Sequence, residues 1–196
     1  MSTLSVDMIE PVGSTLTLGQ SGDTVTIPAG GTFTNNGTAT GFAAGSTHAS
    51  QWRLTANFSG SVDPIATNLE EVDAPLGFGV LGASMTQTGG VFTFPATGYW
   101  YIEYHALFGH NVDSAARNQL YMSTTTNDAT YASAATAYGG TYYEDSTGNC
   151  SYIMDVTDVT QCKVRFSIYV NVAAIITRGD TAVNETFFTF NRLADT

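Results

Sequence analysis

The sequence predicts an all-β protein: an antiparallel jelly-roll sandwich with an extended N-terminal β-rich arm. Three observations predict it. Almost no segment carries apolar residues at helical period, whereas many short segments alternate apolar with polar side chains. Those segments lie between Gly, Asn, Asp and Pro, the punctuation of turns. About eight of them fall within roughly 150 residues, the strand count of a jelly roll.

The first forty-five residues read as an arm or stem. Three short strand-like pieces, TLTL, TVTI and TFT, recur between the turn sequences GQSGD and PAGG. Their apolar residues are Leu16 and Leu18, Val25 and Ile27, and Phe33. That is too little apolar surface to fold alone. The expectation is that residues 1–45 bury this edge against sister chains or a neighbouring protein, and that 34–50 lead into a main domain of residues 46–196.

Within the main domain the candidate strands, in order, are QWRLTANF, GFGVLGA, VFTF, YWYIEYHALF, NQLYMSTT, CSYIMDV, CKVRFSIYVNV and TFFTFNRL. One of them is unusual. Alternation along Tyr99–Phe108 puts Trp100, Ile102, Tyr104, Ala106 and Phe108 on one face. The other face carries Tyr99, Tyr101, Glu103, His105 and Leu107. A strand with one wet face does not load both faces with rings. Something outside the sandwich is expected to cover the second one.

Composition excludes several classes. The chain has 196 residues, six Lys plus Arg against seventeen Asp plus Glu, and a formal net charge of -11. Without a basic cluster it suits neither nucleic acid nor an anionic membrane. Only 12% of residues are charged, so it is no disordered acidic tail. Its polar bulk is Thr, Ser, Asn and Gly, and threonine favours strands. The N-terminus MSTLSVDMIEPVG lacks a basic start and a continuous apolar core, so folding in a cytosol-like compartment is expected. The longest apolar run, Phe166–Thr177, is too short to span a bilayer. Cys150 and Cys162 are expected as free thiols: a hairpin turning near Asp158 sets Cys162 opposite a residue near Asp155, not opposite Cys150. The sequons at Asn36, Asn57, Asn149 and Asn184 carry no weight without a secretion route.

Nothing in the sequence points to catalysis or a cofactor. It has no phosphate loop, no Gly-x-Ser-x-Gly elbow and no His-Glu-x-x-His. His48, His105 and His110 do not share a metal spacing, and the two cysteines lack zinc partners. Glu144 and Asp145 are one acidic pair, a poor calcium site. Glu70, Glu71 and Asp73 form a dense acidic cluster in NLEEVDAP, read as a solvated loop.

The ordered motifs resemble one family. WRLTANFSGSV resembles the first strand of the complement globular head and tumour necrosis factor jelly-roll family. GVFTFPATGYWYIEYHALF resembles its most characteristic motif, a strand, a Pro-x-x-Gly turn and an aromatic strand, with Phe92, Phe94, Pro95, Gly98, Tyr99 and Tyr101 on the pattern. SYIMDVTDVTQCKVRFSIYV resembles the penultimate hairpin. TFFTFNRL resembles the final strand, with Phe187 and Phe190 at paired aromatic positions and Thr189 where that family often has Gly.

The resemblance implies a homotrimer, in which the sheet bearing the aromatic strand is covered on both faces. It makes Trp100, Ile102, Tyr104 and Phe108 intrachain core. Tyr99, Tyr101, Glu103 and Leu107, with Phe188 or Phe187, become the trimer contact. A carboxylate buried there needs a partner, and the hairpin face opposite offers Lys163 and Arg165, so the expected pair is Glu103 with Arg165. A pH switch through His105 is the functional alternative to that ion pair. A surface-recognition site is expected in the long Tyr-rich loop 122–149, at Tyr131, Tyr138, Tyr142 and Tyr143, since Tyr offers large amphipathic area at low entropy cost. The arm also resembles Gly/Thr-rich leaders of bacteriophage fibre and appendage proteins. The expected protein is a structural, non-enzymatic virion component of a tailed bacteriophage: a homotrimeric head-decoration or fibre-like knob on the virion exterior, assembled in the host cytoplasm. Residues 1–45 would anchor it to capsid or tail, and the knob would project toward host carbohydrate or protein. The alternative is a secreted or surface receptor-binding or adhesion ligand of the same fold.

Overall fold

The structure is a computed structural model that describes residues 24, 26–32, 45–109, 116–141 and 145–196. The chain divides into two units, Met1–Phe42 and Ala43–Thr196. Of the first unit's apolar candidates, Leu16, Leu18, Val25 and Phe33 lie outside the described residues, and Ile27 is half-exposed. The turn foreseen at Pro28–Gly31 closes with Gly31 N donating to Pro28 O at 2.9 Å. Gly30 takes φ 86° there, the left-handed position of a type II turn.

The described residues of the second unit form twelve strands: β1 Ala49–Leu54, β2 Phe58–Ser59, β3 Leu69–Glu71, β4 Thr86–Thr88, β5 Val91–Thr93, β6 Gly98–Gly109, β7 Ala116–Thr125, β8 Ala132–Thr141, β9 Ser146–Val156, β10 Lys163–Val170, β11 Ile176–Thr177 and β12 Phe187–Ala194. They form two antiparallel sheets, as the alternation requires. In the seven-stranded sheet, β6 pairs with β9 along one edge and with β12 then β11 along the other. Beyond β12 come β1 and β3, and β2 extends β11. The five-stranded sheet runs β4-β5-β10-β7-β8.

The Pro95–Gly98 turn sets the entry to β6. Gly98 has φ 133°, and a Cβ there would lie 2.4 Å from Ala194 O. Trp100 Nε1 donates back to Ala96 O at 3.1 Å, so the ring both fills the core and closes the turn.

The core lies between the sheets. The even residues of β6 from Trp100 to Phe108 are at most 1% exposed. Phe92 of β5 is the hub. Its ring lies 5.4 Å from Trp52, 5.5 Å from Phe166, 5.7 Å from Phe188 and 5.2 Å from Phe190. Tyr104 is wholly buried with its hydroxyl 3.4 Å from Ser167 O, and burial, aided by nearby Cys150, pushes the phenol well above its usual pKa. Cys150 and Cys162 are buried free thiols.

Three expectations change. GFGVLGA is not a strand. It makes a single bridge, Leu81 to Ala49, and Gly77 and Gly82 take positive φ that breaks extension. Ser151–Val170 is not a hairpin. β9 pairs with β6 and β10 with β5 and β7, so the chain crosses between sheets at Asp158–Cys162. The turn itself is tight, with Cys162 N donating to Asp158 O at 2.8 Å, but both flanking strands find other partners. Residues 122–149 are not one loop, because β8 lies within them and pairs with β7 at nine register positions.

Candidate functional site

The fold leaves two outward surfaces, one on each sheet. The first is the outer face of the seven-stranded sheet. Its register lines residues up across strands. One row runs Ile153, Tyr101, Asn191, Ala49; the next Ser151, Glu103, Thr189, Gln51; the third Asn149, His105, Phe187, Arg53. Tyr99 is 41% exposed and Ile153 55% exposed, while Tyr101, Glu103, His105, Leu107 and Phe187 are half-buried. So β6 presents rings and aliphatics outward, and among the described residues no third sheet covers them.

Polar groups on this face are mostly matched locally. Glu103 Oε1 accepts from Asn149 Nδ2 at 2.8 Å. His105 stacks on Phe187 at 4.9 Å and 23°, and its Nδ1 donates to Glu185 O at 3.0 Å. A carbonyl only accepts, so Nδ1 carries the proton. Gln51 Nε2 donates to Thr189 Oγ1 at 3.0 Å.

Two predicted contact residues are not on this face. Phe188 is fully buried, because register puts it opposite Tyr104, on the core side. Its neighbour Phe187 points outward instead. Arg165 belongs to β10, on the other sheet. It sits 3.9 Å from Asp63 and 4.3 Å over the ring of Tyr131, so it does not face Glu103. The error followed from reading β9 and β10 as a hairpin, which would have put both on one sheet.

The acidic cluster also reads differently. Arg53, fully buried, donates from Nε to Glu70 Oε1 and from Nη2 to Asp73 Oδ1, each at 2.7 Å, and from Nη1 to Ala74 O at 2.9 Å. Glu70 and Asp73 are therefore structural anchors rather than a loose solvated patch. They tether the loop after β3, which exposes Leu76 at 99%, Phe78 at 51% and Leu81 at 48%.

The second surface is the outer face of the five-stranded sheet. Here the rows are Tyr169, Gln119, Tyr138; then Ser167, Tyr121, Thr136; then Arg165, Ser123, Ser133. Tyr131 and Tyr138, the described pair of predicted recognition tyrosines, both fall on this side, Tyr131 through its contact with Arg165 and Tyr138 exposed on β8. Tyr142 and Tyr143 lie outside the described residues, as do Glu144 and His110. Sequence reasoning missed Tyr121 and Tyr169, which join them from β7 and β10. Alternation within those strands was the available signal. Segment 61–65 runs along the free part of β10's edge, with Val62 and Ile168 exchanging backbone bonds at 2.9 Å. It delivers Asp63 to the same face.

Among the described residues, no group of three or more His, Cys, Asp or Glu side chains converges as a metal site. Asp145 is engaged by Arg178 at 2.8 Å.

No protein-family profile matches the chain. No curated protein matches it either. Among solved structures, the fold is similar to murine APRIL at pH 5.0, with 11% identity and a TM-score of 0.54 over 74% of this chain and 98% of that one. It is similar to Eiger TNF from S. frugiperda, with 11% identity and a TM-score of 0.55 over 76% and 93%. At such identities the likeness concerns the fold: this chain has the jelly roll of tumour necrosis factor proteins.

Proposed function

We propose that the chain is a non-enzymatic structural or binding protein that works as a homotrimeric knob, three copies packing through the outer face of the seven-stranded sheet. The observation that carries this is β6 itself. Trp100, Ile102, Tyr104 and Phe108 already fill the core, yet Tyr99, Tyr101 and Leu107 load the opposite face, with Ile153 and Phe187 beside them. Obligate interfaces look like a core cut in half and are rich in aromatics. Each buried Tyr ring contributes about 2 kcal/mol by area. The apolar loop bearing Leu76, Phe78 and Leu81 lies at the β1–β3 edge, and Ile153 at the β9 edge. Different edges of one face suit a head-to-tail contact, which closes into a ring when the rotation allows.

In our reading the knob is a component of a tailed-bacteriophage virion, a head-decoration or fibre-like protein on the particle exterior. Residues 1–45 anchor it to capsid or tail, and three outward copies give avidity toward a host surface. The Gly/Thr-rich arm and the low-charge, Thr-rich composition support this. A secreted or surface receptor-binding ligand is the second reading, favoured by the likeness to APRIL and Eiger. Light scattering on the full chain tests the trimer: a mass of three chains supports it, and a monomer overturns it. A fragment from Ser46 onward that still trimerises but no longer joins particles would separate anchoring from assembly. Failure of the intact chain to join particles would remove the virion reading and leave the ligand.

A further inference from the structure

The outer face of the five-stranded sheet holds a groove of about 410 Å³, on the other sheet from the proposed subunit contact. Small-molecule sites run roughly 300–1,000 Å³. The groove is lined by Asp63, Tyr121, Ser123, Ser167 and Tyr169, with Val62 and Ile168 beside them. Register explains the assembly: Ser167 lies opposite Tyr121 on the paired strand, and the edge segment carrying Asp63 runs beside β10.

Its chemistry is specific. Asp63 is two-thirds exposed, and its Oδ1 accepts from Ser167 Oγ at 2.6 Å, which fixes the carboxylate while leaving acceptor capacity for a ligand. Arg165 Nη2 stands 3.9 Å from that oxygen, and Arg165 Nε is buried with no partner among the described residues. Two phenol rings offer flat amphipathic faces, and the hydroxyls of Ser123 and Ser167 offer both donor and acceptor. Neither a purely apolar ligand nor a strongly charged one matches this set. A net charge of -11 repels anions, and Arg165 beside Asp63 offsets the pull on cations.

We propose that this groove binds one ring of a neutral sugar, the vicinal hydroxyls donating to Asp63 and the ring's C–H face packing on tyrosine. The site lies within one chain and on the other sheet from the subunit contact. It rests on neither the trimer nor the virion reading.

The test is saturation-transfer NMR on the full chain with the methyl glycosides of glucose, galactose, mannose and N-acetylglucosamine. Each is used at about 10 mM, above a Kd of about 1 mM typical of single weak contacts. Transfer to at least one of them is expected. Asp63→Asn should weaken it about tenfold, the loss of a charge-assisted hydrogen bond. Ser123→Trp, which fills the groove from an outward position, should abolish it with circular dichroism unchanged. A Tyr101→Asp variant should bind as the parent chain does, whatever its mass. Transfer to none of the four overturns the proposal. So does transfer that survives both groove variants.

Discussion

Phe166 and Phe188 stack across the sandwich, their ring centroids 4.2 Å apart and their planes 26° from parallel. One comes from β10 of the five-stranded sheet, the other from β12 of the seven-stranded sheet. The contact joins the two sheets across the core, and Phe92 and Tyr104 pack around it.

Phe188→Ala should therefore cost about 3–5 kcal/mol, the range for deleting a buried aromatic ring. Val183→Ala, at a position 59% exposed, should stay within about 0.5 kcal/mol. Urea unfolding of both variants checks this. Equal effects would place Phe188 outside the core.

Arg53 makes a second test. It is fully buried, whereas the side chain of Glu70 is 30% exposed and that of Asp73 72% exposed. Water can replace Asp73 more easily than Glu70. Glu70→Ala should then destabilise by about 2–4 kcal/mol, because it leaves a buried guanidinium short of its more buried partner. Asp73→Ala should cost about 1 kcal/mol or less. Thermal denaturation of the two variants distinguishes them, and a reversed order would refute the burial argument.

Burial pushes the Cys150 thiol up to about 11 from an ordinary value near 9. The folded value is raised, so the neutral thiol's contribution to stability is whole below pH 9 and is lost as pH rises through about 11. Chemical denaturation at pH 8 and pH 10.5 should show that loss, and Cys150→Ala should shrink it. In the native state at pH 8 this thiol should react slowly with a chromogenic disulfide and quickly once unfolded.

Tyr101→Asp should dissociate the proposed trimer, since a carboxylate desolvated at the contact costs several kcal/mol. Ser133→Asp, on the other sheet, should leave the mass unchanged. Light scattering of each gives the answer. A trimer that persists in Tyr101→Asp would move the contact elsewhere.

Much of this was readable in the chain, for reasons visible in particular residues. The period-2 pattern of β6 separated Trp100 from Tyr101, and set Ile102, Tyr104 and Phe108 on the core side with Trp100. β8 escaped notice because ASAATAYGGT pairs along its whole length using small residues, with no apolar alternation to announce it. Phe188 was misplaced because TFFTFNRL holds adjacent rings, and only pairing with β6 says which one turns inward.

By itself, then, the sequence determined the all-β class, the principal strands and the doubly apolar β6, because alternation and turn chemistry are local properties of the backbone. The tertiary structure alone decided which strands pair. It sent β9 and β10 to different sheets, delivered Glu70 and Asp73 to Arg53, and gathered Asp63, Tyr121 and Tyr169 around one groove. Those outcomes depend on hydrogen-bond partners far apart in the chain, and no short window of residues records which distant edge a strand will meet.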